Sequence, residues 1–283
     1  MAEPAWKPPT GTQQHLAPEE PVLQRWVRRP DGRLELHEFL LTSELFLDPQ
    51  LEDKMVQGTW HDVTCRDLMS MLESHFRSLP EVQVFHDLKH FLLPGLPAPA
   101  PDVSVIHGIG PKKRQSFEAS KEGGIPSLVI EVVSPASPEV RRTDLEDKLL
   151  LYRLAGIPEY LIVDSMSAPG SPPADWSYTL RGYRKREAGW YQPVELDAQG
   201  RFLSATTDLW FQVAPDGQRI LVYESPSGRR LLSSLEQAVR ADEAEAEALQ
   251  AKQQALRDAE ARQAAEEKLA RLQAELDRLQ RGG

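Results

Sequence analysis

Glu131 stands inside Leu128-Val129-Ile130-Glu131-Val132-Val133, a run otherwise fit for the middle of a sheet. Burying an unpaired carboxylate costs several kcal/mol, so it needs a cation, a donor cluster or a metal. The bland alternative puts Glu131 near its strand's end, its head in solvent or paired with Arg141 or Arg142. Asp102 opens a second strand after Pro101, where acids commonly serve as turn residues bonded to nearby backbone. Two strands of one sheet can nevertheless bring Asp102 and Glu131 together, and a divalent ion relieves the repulsion between facing carboxylates. Mg²⁺ takes hard oxygens, usually one or two carboxylates with waters and substrate phosphate. The main-chain carbonyl of Val132 offers one more. Lys148 falls in the helix expected after the Glu131 strand, one turn after Asp144 and one turn before Tyr152. On a solvated face it is an i,i+4 partner of Asp144, worth a few tenths of a kcal/mol. Sharing the face of Leu145 and Tyr152, it points at the sheet instead. Its ammonium then joins the two acids, where it orients or deprotonates an attacking water and stabilises charge growing on phosphate.

Other residues offer less. His61 reads as an ordinary helix-start histidine, with a further polar group of the site as the alternative. Tyr152 reads as core, its hydroxyl free to brace Lys148. The seven histidines show no metal spacing; His86 and His90 are four apart, but strand-like neighbours and Pro94 argue against a helical zinc pair. Cys65 is the only cysteine, which excludes an intrachain disulfide and a cysteine zinc cluster. No Walker loop, GxGxxG or GxSxG occurs.

The elements that must position these residues follow from periodicity. Residues 27–33 form a turn between two short strands, with Pro30 and Gly32 suited to it. Val63, Leu68, Met71, Leu72 and Phe76 recur at helical spacing, with Asp62 or Thr64 as cap. Strands are expected around Val82–Phe85, Phe91–Leu93, Asp102–Ile106 and Leu128–Val133, with a polar loop from His107 to Pro126. The apolar run of the fourth marks a central strand covered on both faces. Thr143 to Ala155 is a helix, capped by Thr143 or Asp144 and stopped by Gly156 and Pro158. Tyr160–Val163 follows as a strand parallel to Leu128–Val133. Further strands are expected at Ser177–Arg184, Trp190–Leu196, Leu209–Val213 and Arg219–Tyr223, punctuated by Gly182, Gly189, Gly200 and Gly217. From about Leu231 the chain turns to Ala, Glu, Gln, Arg and Leu. Leu269, Leu272, Leu276 and Leu279 keep a coiled-coil rhythm there, while Leu249 and Leu256 fall off it.

This combination resembles the PD-(D/E)XK nuclease superfamily, and within it the bacterial Uma-type family of restriction-endonuclease-like proteins. The resemblance rests on Pro101-Asp102-Val103-Ser104-Val105, on Leu128 through Ser134, and most specifically on the stretch DLEDKLLLYRLAGIPEYLIVD from Asp144 to Asp164. It runs in outline from about Val22 to Leu232. It implies an α/β fold: a restriction-endonuclease-like mixed β-sheet core flanked by helices, additional C-terminal strands, then a long C-terminal helix or coiled coil. It also implies catalytic Asp102, Glu131 and Lys148, a Mg²⁺ site (Mn²⁺ as substitute) on Asp102, Glu131 and Val132, and hydrolysis of phosphodiester bonds in nucleic acid, DNA first. One departure stands out. The superfamily places its lysine two residues after the second acid, where this chain has Val133; the family moves it into the following helix, which Lys148 matches.

The expected domains are a disordered lead-in (1–21), a nuclease domain (22–232) and an Ala- and Glu-rich helical tail (233–283) that pairs two copies into a homodimer. The formal net charge of −10 neither supports nor excludes a nucleic-acid substrate. Four basic clusters are available, at Lys112–Arg114, Arg141–Arg142, Arg184–Arg186 and Arg229–Arg230, although solvated charge is the plainer reading. No apolar run approaches membrane-spanning length and no secretory signal is visible, so a cytoplasmic location without membrane partners is expected. The competing function is a catalytically inactive scaffold that recruits partners through the C-terminal helix.

Overall fold

A computed structural model describes residues 22–49, 53–55, 59–133, 141–165, 177–187 and 189–281. The expected disordered lead-in and Ser134 of the second motif lie outside them. The chain divides into two units, Met1–Leu231 and Leu232–Gly283.

The first unit is built around a six-stranded mixed sheet. In chain order its strands are β4 (Val82–Phe85), β6 (Val103–His107), β8 (Leu128–Val133), β9 (Glu159–Ser165), β10 (Tyr178–Lys185) and β11 (Tyr191–Val194), and in space they run β11-β10-β9-β8-β6-β4. Before this sheet, β1 (Val22–Arg28), β2 (Leu34–Leu40) and β3 (Asp53–Met55) form a small antiparallel sheet, with α1 (Ser43–Leu47) between the last two. Helix α2 spans Thr59–Phe76. The short strands β5 (His90–Phe91) and β7 (Phe117–Glu118) pair in parallel, and α3 (Ala119–Glu122) follows. Strands β12 (Arg201–Ser204), β13 (Leu209–Val213) and β14 (Ile220–Glu224) make a second antiparallel sheet.

The apolar run of β8 is central as expected: all six residues are buried, with β6 antiparallel on one side and β9 parallel on the other. Leu128, Ile130 and Val132 share one core with Val103, Val105 and the α2 residues Cys65, Leu68, Met71, Leu72 and Phe76. Val129 and Val133 share the other with Tyr152, Ile157 and Tyr160. Alternation along the strand therefore turns Glu131 toward the second core, in the company of Val129 and Val133.

The segment joining β8 to β9 departs from expectation at its start. Residues 141 and 142 are already helical, so neither Thr143 nor Asp144 is a cap. Thr143–Asp147 is a π-turn, closed by the Lys148 N–H bonding to the Thr143 carbonyl, and α4 (Lys148–Ala155) continues from it. Such widened turns are frequent at functional sites. Gly156 ends α4 with φ of 84°, a left-handed position that favours glycine.

Two further expectations are corrected. The loop from His107 to Pro126 contains β7 and α3. Gly182 is no punctuation between strands; it lies mid-strand in β10, where an added Cβ would meet the Phe202 ring at 2.2 Å. Its missing side chain is what lets β12 pack so closely there.

The second unit holds one 48-residue helix, α5 (Ser234–Arg281). It opens with a capping box: the Ser233 N–H donates to Glu236 Oε2 at 3.0 Å, and the Glu236 N–H to Ser233 Oγ at 3.4 Å. At 1.5 Å per residue the helix is about 70 Å long. Leu249, Leu256, Leu269 and Leu272 are exposed on it. Among the described residues no helix is long and apolar enough to cross a membrane.

Candidate active site

Strand register brings the two acids together. Val103 pairs with Ile130, so one step back along β6 Asp102 falls opposite Glu131. Asp102 Oδ2 accepts the Val132 N–H at 2.7 Å, and the Asp102 carbonyl accepts from His86 Nδ1 at 2.6 Å. Asp102 is thus fixed at both ends just before β6 begins. A strand residue's N–H and C=O leave on the same edge, which puts the Val132 carbonyl on the Asp102 side.

Lys148 reaches the sheet. Its side chain is 3% exposed, and Nζ donates to Glu131 Oε2 at 2.9 Å. Asp144 Oδ1 lies 2.8 Å from the same ammonium, an ion pair that lacks hydrogen-bond alignment. The Phe46 ring of α1 covers Nζ at 4.2 Å. Of the two alternatives raised for Lys148, the sheet-facing one is found; its i,i+4 pair with Asp144 is made, but in the interior and not on a solvated face. Neither alternative for Glu131 is found: it is 1% exposed, and Arg141 pairs with Asp164.

Tyr152 corrects a second reading. Its hydroxyl does not brace Lys148 but donates to Glu131 Oε1 at 2.6 Å. Glu131 is thereby held by both oxygens. His61 corrects a third: it is buried, and Nε2 lies 3.2 Å from Asp102 Oδ2. Cys65, one turn along α2, has its sulfur 3.6 Å from His61 Nδ1. Asp144, His86 and Phe46 were not legible as site members. Only Asp144 left a trace in the sequence, its spacing of four from Lys148.

The electrostatics follow from three carboxylates and one ammonium in a nearly dry space. Burial pushes Glu131 well above the usual carboxylate range, with Lys148 opposing and the Asp102 and Asp144 charges adding to it. Burial likewise outweighs Lys148 at Asp144, which is pushed up to about 6. Asp102 goes the other way: burial raises it, but His61, Lys148 and the Val132 N–H together bring it to about 2. Burial opposes the Lys148 charge, yet Asp144, Glu131 and Asp102 raise it above its ordinary value. Burial also opposes the charged form of His61, and Asp102 outweighs it. Asp102 is the firmly ionised carboxylate of the centre, with a side chain 13% exposed.

A family model described as Uma2, "Putative restriction endonuclease", matches residues 34–216, a stretch containing every one of these residues. The chain belongs to the Uma2 family. Its fold is a six-stranded mixed sheet flanked by helices, with added C-terminal strands and a long terminal helix. Among solved structures the chain is similar to a "putative nuclease belonging to DUF820" from Anabaena variabilis ATCC 29413. The two are 17% identical, the match covers 62% of this chain and 77% of the other, and the TM-score is 0.36. The comparison with curated proteins gives no match. Val133, two residues after Glu131, is fully buried in the Tyr152 core, and the ammonium on Glu131 comes from Lys148 in the following helix.

Proposed function

We propose that the chain is a divalent-metal-dependent endonuclease acting on DNA, with Asp102, Glu131 and Lys148 as its catalytic residues. The activity is assigned to residues 22–232, and the tail 233–283 to pairing of two copies. The observation that carries the reading is the buried Lys148 ammonium on Glu131, beside an ionised Asp102 clamped by the Val132 N–H. The donor set suits Mg²⁺, with Mn²⁺ as substitute: two carboxylates and the Val132 carbonyl are hard oxygens. Three carboxylates gathered around one ammonium further favour a cation.

When bound, Mg²⁺ supplies Lewis acidity toward a phosphate oxygen and lowers the pKa of water. Asp102 and Glu131 hold the ion, and the Tyr152 hydroxyl fixes the orientation of Glu131. Lys148 stabilises negative charge developing on the phosphate and orders the attacking water. His61 keeps the Asp102 carboxylate in place from α2.

The test is nicking of supercoiled DNA by purified protein. Wild type nicks in Mg²⁺ or Mn²⁺ and not in chelator; Asp102→Ala loses at least ~100-fold. Equal nicking by both proteins would refute the assignment. The paired state of the basic clusters favours the scaffold reading instead: Arg114 bonds Glu122, Arg141 bonds Asp164, Arg184 bonds Glu159 and Arg229 bonds Glu224. A scaffold would show neither nicking nor a rise in melting temperature with Mg²⁺.

A further inference from the structure

His61 and Cys65 sit one turn apart on α2, and both converge on Asp102. One donor atom from each, an imidazole nitrogen, the thiol sulfur and a carboxylate oxygen, all lie within 4.8 Å of one another. His61 Nε2 is 3.2 Å from Asp102 Oδ2 and 3.9 Å from Cys65 Sγ. A tetrahedral ion with metal–sulfur bonds of about 2.3 Å and metal–nitrogen or metal–oxygen bonds of about 2.0–2.1 Å sets nitrogen–oxygen separations near ~3.3 Å and sulfur–nitrogen separations near ~3.6 Å. The two separations that involve the His61 nitrogen lie within about 0.4 Å of those values, and the Cys65 sulfur and Asp102 oxygen lie within 4.8 Å of each other.

We propose that His61, Cys65 and Asp102 form a second cation site, selective for a thiophilic divalent ion of the zinc class. Thiolate and imidazole are poor partners for Mg²⁺ and good ones for Zn²⁺ and Co²⁺. Three protein ligands leave the fourth tetrahedral position to a water, on the side where Asp102 is partly exposed. Binding expels the thiol proton to solvent, so the added ligand charge is offset by the incoming dication. Asp102 is common to this site and to the Mg²⁺ ligand set. A zinc-class ion therefore competes with Mg²⁺, and that consequence, unlike the site itself, rests on the function proposed above.

Cys65 is the chain's only cysteine, so any thiolate–metal signal reports this residue. The test titrates Co²⁺ into the metal-stripped full chain without nucleic acid and reads thiolate-to-cobalt charge-transfer absorption. The expected result is a band saturating at one Co²⁺ per chain and bleached by Zn²⁺. In Cys65→Ser the band vanishes while the circular dichroism is retained, and Zn²⁺ affinity falls at least tenfold. Should Cys65→Ser fail to fold, His61→Gln must lose the affinity instead. A folded wild type without the band, or an unchanged band in Cys65→Ser, overturns the proposal. Because no nucleic acid is present, the band can appear while Mg²⁺-dependent nicking is absent, and the reverse, so the two readings fail separately.

Discussion

At the scale of single residues, the centre is a problem in buried charge. Glu131, Asp144 and Asp102 share one ammonium and one imidazole, and only Asp102 is held firmly ionised. Removing one partner of a buried pair is strongly destabilising because it strands the other. Lys148→Met is therefore expected to lower stability by about 3–5 kcal/mol, measured by urea denaturation at pH 7. It should also lower nicking by at least ~100-fold at a temperature where the variant is folded. Retained nicking would remove Lys148 from the chemistry. Much of this centre was legible: Glu131 breaking an apolar run, Asp102 opening a strand, and a lysine on the sheet-facing side of a helix. His61 was not. A histidine near a helix start has no sequence signature that distinguishes a solvated ring from one meeting a carboxylate 41 residues away.

At the scale of elements, the β12–β14 sheet is tied to the main sheet by a carboxylate. Glu159, at the start of β9, is fully buried. It accepts from Ser204 Oγ at 2.6 Å, Thr206 Oγ1 at 2.8 Å, the Ala205 and Thr206 N–H groups at 3.0 Å, and Arg184 Nε at 2.7 Å. Burial raises its pKa, but the Ser204, Thr206 and Ala205 bonds outweigh burial and hold it below the ordinary value of 4.5. With the folded pKa depressed, the unfolded chain binds the proton more readily. The stabilisation is present above the unfolded pKa and is lost as pH falls through the folded one. Glu159→Gln should cost about 2–3 kcal/mol at pH 7, and the gap between the two proteins should close below about pH 4. A gap constant with pH in thermal melts would contradict the role. Long apolar strands such as β8 and β9 were legible because burial on both faces leaves a continuous run. The four-residue β12 was not, because Arg201-Phe202-Leu203-Ser204 is too short to show a period, and its place is set by Gly182 and Glu159 in distant strands.

At the scale of the whole chain, charge and the terminal helix matter most. A net charge of −10 and basic clusters already engaged by carboxylates predict weak non-specific binding to nucleic acid. Under the proposed function, the substrate would then be held chiefly at the centre formed by Asp102, Glu131 and Lys148. The tail was legible as helix because Gly and Pro are missing from it until Gly282. Its exposed Leu269 and Leu272 lie on the stripe expected to pair two copies. Sedimentation of the full chain should show a concentration-dependent dimer, and Leu269→Ser with Leu272→Ser should return it to monomer. A wild type that stays monomeric at high concentration would remove the tail from self-association.

The convergence of Asp102, Glu131 and Lys148 on one hard divalent ion is tested most directly by anomalous diffraction from a crystal soaked in Mn²⁺. The account predicts a single strong peak between the carboxylates of Asp102 and Glu131, within bonding distance of the Val132 carbonyl. No Mn²⁺ at that position in a folded, soaked crystal would contradict it.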